Sequence, residues 1–63
     1  MSNEKEILTR FFKGDSQRTI AAVLHVSRNT VAKVVQAYQK HPIQASDLKQ
    51  LNPETLIHHL FPQ

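Results

Sequence analysis

Five side chains between Arg28 and Gln36 are of the types that read the edges of nucleic-acid bases. Arg28 carries a guanidinium fork that can donate two parallel hydrogen bonds to guanine O6 and N7, and the Asn29 amide can pair with adenine N6 and N7. Lys33 and Gln36 continue this chemistry one turn later. Ala32, between them, is small enough to let a backbone approach closely and to touch a thymine methyl. A second set, Ser16, Gln17, Arg18, Ser27, Thr30 and Lys40, suits phosphate, through side chains and through the free N–H groups at two helix starts. Ser16 and Ser27 equally suit plain helix capping, and Gln36 and Lys40 suit simple solvation.

A helix is needed to bring the first set onto one face. At about 100° per residue, the spacing predicts a helix over 28–40, with Val31, Val34, Val35 and Tyr38 on one side. Arg28, Asn29, Ala32, Lys33, Gln36, Gln39 and Lys40 fall on the other. Ser27 is its N-cap, and His41-Pro42 stops it, because a residue before proline is pushed out of the α region. A shorter helix over 17–24 starts at Ser16 and carries Ile20, Val23 and Leu24 on one face, with Ala21 nearby. A first helix over about 3–13 holds Ile7, Leu8, Phe11 and Phe12 on one face and ends at Gly14.

Only His25, Val26 and Ser27 separate the second and third helices, which describes a helix-turn-helix. So tight a turn makes the two helices cross steeply, and Ala21 and Ala22 allow their backbones to come close. Ile20, Leu24, Val26, Val31 and Val34 are the expected shared core, closed from the first helix by Leu8, Phe11 and Phe12. The His25 side chain is expected to be solvated.

The charge pattern agrees with an anionic partner. The chain of 63 residues has a net charge of +3, yet residues 16–46 contain no Asp or Glu while holding Arg18, Arg28, Lys33 and Lys40. Residues 1–15 balance, and residues 47–63 are slightly acidic. There is no cysteine, which rules out disulfides and thiolate zinc sites. No stretch is long and apolar enough to span a membrane, and the N-terminus lacks the basic and apolar regions of a signal peptide. The carboxylates are scattered, and the adjacent His58 and His59 point about 100° apart on a helix, so they do not chelate together. No catalytic residues, metal site or cofactor are expected, and the chain reads as non-catalytic.

The order and wording of these residues resemble a known family. "GDSQRTIAAVLHVSRNTVAKVV" is similar to the N-terminal domain of IstA-like bacterial transposases, the insertion-sequence-twenty-one family. Gly14, Ser16, Arg18, Ile20 and Ala21, then Ser27, Arg28, Asn29, Thr30 and Val31, carry the likeness. The tail "LNPETLIHHLFPQ", with its Leu-Phe-Pro, extends it over nearly the whole chain. His25 departs from the turn glycine usual in that family, so the resemblance implies a position of positive φ, a conformation that costs glycine nothing and histidine something. The resemblance implies recognition of the terminal sequences of a transposable element in DNA transposition and recombination. It also implies a separate DDE-type catalytic domain C-terminal to this one, and an ATP-binding helper protein.

The expected fold is an all-α, three-helix helix-turn-helix (homeodomain-like) bundle over residues 1–41. Residues 42–63 are expected to be a linker, "HPIQASDLKQLNP", followed by one short helix over about 53–61. Asn52 caps that helix, Pro53 opens it, and Leu56, Ile57, Leu60 and Phe61 lie on one face. That face either packs back on the bundle or leads to a further domain or a homodimer contact. The chain stops at Phe61-Pro62-Gln63 without a terminating pattern, which suggests a piece of a longer protein. The expected partner is double-stranded DNA, in the cytoplasm at the nucleoid. The alternatives are a transcription regulator of resolvase-like or sigma-like type, and a small helical protein-interaction module.

Overall fold

The computed structural model describes residues 3–62 and contains five helices. They are α1 (Glu4–Phe12), α2 (Gln17–Leu24), α3 (Arg28–Lys40), α4 (Ala45–Gln50) and α5 (Pro53–Leu60), with no strand among the described residues. Local chemistry explains most of the boundaries. Beyond α1, Gly14 takes φ of 101°, which lets its N–H reach the Phe11 carbonyl (3.0 Å) and the Asp15 N–H reach that of Arg10 (3.1 Å). The Asp15 carboxylate also approaches the Arg10 guanidinium at 3.4 Å, a partly exposed pair worth under about 1 kcal/mol. The side chains of Ser16, Ser27 and Asn52 accept the N–H of the residue three positions on, opening α2, α3 and α5.

The helices share one core. Ile7 and Leu8 of α1, Ile20 and Ala21 of α2, and Val31, Val34, Val35 and Ala37 of α3 are buried together. Leu24 and Val26 pack against this cluster while staying partly exposed. Phe11 and Phe12 are also only partly buried. They form an aromatic group with Tyr38, whose ring meets theirs edge-on at centroid distances of 5.9 and 5.2 Å. Such contacts add about 0.5–1.5 kcal/mol each beyond area burial, and they tie α1 to the C-terminal half of α3.

Two expectations are corrected. Val23 does not belong to the packed face of α2: it is 45% exposed. The buried stripe of α2 is centred on Ile20, Ala21 and Leu24, and Val23 projects roughly 110° from that centre. The stretch between His41 and Pro53 is not a plain linker, because it contains α4 and contributes Ile43 and Leu48 to the core. The fold therefore has two additional C-terminal helices where one was expected. The six residues of α4 have no side-chain N-cap, so the helix depends on tertiary support. Lys5 supplies part of it. From α1, its ammonium donates to the Leu51 carbonyl at 2.9 Å and the Lys49 carbonyl at 3.4 Å, covering the C-terminal end of α4 with a positive charge.

The last helix packs back on the bundle. It contacts α1 and α3, with Leu56 and Leu60 buried, while α4 lies on α1. His59 Nε2 bonds the His41 carbonyl at 3.0 Å and fastens α5 to the end of α3. Together α4 and α5 cover the apolar side of α1 and α3, leaving the opposite side of α3 to solvent.

Candidate nucleic-acid interface

The turn between α2 and α3 sets the angle at which α3 is presented. His25 is the residue that bends it, with φ of 57° and ψ of 41°, the left-handed conformation expected for this position. Its N–H and that of Val26 both donate to the Ala21 carbonyl, the latter at 3.1 Å. The His25 side chain is exposed. His25→Gly is therefore expected to leave stability unchanged or raise it by up to about 1 kcal/mol, because strain at positive φ is relieved while unfolded-state entropy rises. Chemical denaturation measures this, and a clear loss of stability would mean that the imidazole packs or bonds in solution.

Beyond the turn, α3 separates its two faces cleanly. Val31, Val34, Val35 and Ala37 are buried, whereas Arg28, Asn29, Lys33 and Gln36 are exposed. Ala32 is half-buried in the middle of the exposed face, a low point flanked by longer polar side chains. Among the second set, Ser16, Gln17, Arg18, Ser27, Thr30 and Lys40 are all exposed. Arg18, Arg28, Lys33 and Lys40 take part in no ion pair among the described residues.

Both serines act as caps. Ser16 Oγ accepts the Thr19 N–H at 3.2 Å and lies 3.0 Å from Thr19 Oγ1; Ser27 Oγ accepts the Thr30 N–H at 3.1 Å and lies 2.9 Å from Thr30 Oγ1. Capping leaves these hydroxyl groups exposed, and because Ser16 Oγ donates to Thr19 Oγ1, it is the Thr19 hydroxyl that keeps a proton for an outside acceptor. Ser16–Thr19 and Ser27–Thr30 are the same Ser-x-x-Thr spacing repeated at two successive helix starts, which sets the exposed Thr19 beside the candidate phosphate-facing residues.

The helix starts differ in charge. α1 has Glu4 and Glu6 in its first turn, α4 has Asp47 and α5 has Glu54, each placing a carboxylate near its positive N-terminal end. The first turns of α2 and α3 contain no acid. Their N-terminal partial charges, about +0.5 each, are thus open to an outside anion beside Arg18 and Arg28. This combination can hold phosphate at two helix ends while offering base-matching donors along the exposed side of α3.

No described helix is long and apolar enough to cross a membrane, and no group of three or more His, Cys, Asp or Glu among the described residues could hold a metal ion. No match was found among curated proteins or among solved structures. A family model described as a homeodomain-like domain matches residues 6–45, which run from within α1, through the helix-turn-helix, to the first residue of α4. With most of its length in that match and its helices arranged as described, the chain belongs to the homeodomain-like helix-turn-helix family.

Proposed function

We propose that this chain binds double-stranded DNA sequence-specifically. In this account α3 lies in the major groove, with Arg28, Asn29, Ala32, Lys33 and Gln36 toward base edges. Ser16, Gln17, Arg18, Ser27, Thr30 and Lys40 meet the phosphate backbone. The observation that carries the proposal is the selective absence of acid. The two helices of the helix-turn-helix have acid-free first turns, and the exposed side of α3 is cationic and unpaired among the described residues. A surface made only for solubility would intersperse both signs, as the rest of this chain does.

A finer assignment follows from the residue wording. The chain acts as the N-terminal DNA-binding part of an IstA-like transposase, recognising the ends of a mobile element in a bacterial cytoplasm. It acts by binding alone. Strand chemistry then belongs to a separate DDE-type domain, and an ATP-binding helper and a second transposase copy are the protein partners. Support comes from Ser27-Arg28-Asn29-Thr30-Val31 and the Leu60-Phe61-Pro62 tail, which resemble that family's pattern.

Salt dependence tests the DNA proposal. Neutralising phosphates releases counterions, so log K should fall linearly with log salt, by about 0.9 per phosphate contacted. Lys40→Ala should weaken binding to all duplexes alike and reduce that slope by about one. Fluorescence anisotropy with a labelled duplex measures both. A salt-independent association would indicate apolar contacts and contradict the proposal.

A further inference from the structure

One feature of the molecule lies outside the helix-turn-helix and yet adjoins its exposed face. The end of α5 comes alongside the C-terminal half of α3, leaving an open groove lined by Lys33, Gln36, Lys40, His41, Leu60 and Phe61. One wall is polar and cationic, and the other is the partly buried Phe61 with the end of α5. No Asp or Glu among the described residues lines it. We propose that this groove seats the DNA backbone strand opposite the one met by the N-terminus of α2, so that α5 forms a second wall of the interface.

The proposal rests on the DNA-binding function above. Continuity supports it, since Lys33 and Gln36 belong both to the exposed face of α3 and to the groove. Geometry supports it as well. The thirteen residues of α3 span about 20 Å, and the major groove curves away from so long a straight helix. The last turn of α3 must then leave the base edges and meet a backbone, and the groove lies at that turn. Electrostatics also favours an anion there. The C-terminal ends of α3 and α5 contribute about −0.5 of a charge each, which the two full charges of Lys33 and Lys40 outweigh.

Two measurements test the proposal. In the unsubstituted chain, titration with a 20-base-pair duplex of random sequence, followed by amide chemical shifts, should move Leu60 and Phe61 together with Arg28 to Lys33. Shifts in α3 with none at the end of α5 would overturn the groove proposal while sparing the DNA proposal. No shifts anywhere would overturn both. The second measurement compares Phe61→Lys with Phe61→Glu, which remove the same aromatic packing and differ in charge. At about 50 mM salt the Lys variant should bind the duplex about ten-fold or more tightly than the Glu variant, with a steeper salt slope. Equal affinities in two folded variants would overturn the proposal. If either variant unfolds, the amide shifts of the unsubstituted chain decide.

Discussion

A chain ending at His41 is expected to lose cooperative thermal unfolding. It would retain α1 to α3 and most of the homeodomain-like match, but not the layer that covers them. Ile43, Leu48, Leu56 and Leu60 would be gone, and the α1 and α3 surfaces they bury would face water. Fully burying one such side chain contributes about 1.5–3 kcal/mol. A domain of this size rarely exceeds about 3–5 kcal/mol in total, and single chains near 40 residues usually need a disulfide, a metal or a partner. Without cysteine, this chain has no disulfide available. Truncation also removes the cost of ordering the deleted residues, so the single substitution Leu56→Ala provides an independent check. It should cost about 2–5 kcal/mol, because Leu56 is fully buried where α5 meets the bundle. Circular dichroism melting measures both. A truncated chain that melts as sharply and as high as the intact one would show α4 and α5 to be dispensable.

The second large effect separates the two faces of α3. On a duplex bearing the preferred site, Arg28→Ala should weaken binding by about 1–3 kcal/mol, roughly five- to 150-fold, and relax preference at one position. Its effect on unfolding should stay within about 0.5 kcal/mol, since the side chain is exposed and unpaired among the described residues. Asn29→Ala and Lys33→Ala should behave likewise. Val34→Ala is the converse case. It removes two methyls from a buried position and should cost about 1–3 kcal/mol in stability. Melting curves beside anisotropy titrations at fixed salt resolve the two classes. If Lys33→Ala unfolded the chain and Val34→Ala did not, the exposed face of α3 would be misassigned.

The parts of the fold legible in the sequence are those with local causes. Ser16, Ser27 and Asn52 announce their helices because a cap bonds three residues away, and His41-Pro42 ends α3 for an equally local reason. The positive φ at His25 agrees with the glycine that the family it resembles usually places at that turn. The faces of α3 were legible because thirteen residues give the apolar period time to declare itself. α4 was not legible, since six residues with one buried leucine show no period, and part of its support comes from Lys5, more than forty residues away. Val23 illustrates the opposite error: in an eight-residue helix the edge of the apolar stripe depends on where α1 and α3 lie, and Val23 falls outside it. For the interface, residue types and the acid-free segment were visible directly. The groove at the end of α5 was not, because it arises only when α5 folds back beside α3.

Selection of duplexes from a randomised pool by the intact chain shows whether α3 reads base edges. From Arg28 to Gln36 the base-reading side chains span about 12 Å of helix, enough for a core of about three to four base pairs. Enrichment of a short motif of that length is expected, with guanine preferred where Arg28 reads and adenine where Asn29 reads. Repeating the selection with Arg28→Ala should erase one position of the motif and leave the others. A bound pool with no preferred position, from a chain that still binds duplex DNA, would contradict sequence-specific recognition by α3 and reduce the interface to a phosphate-binding surface.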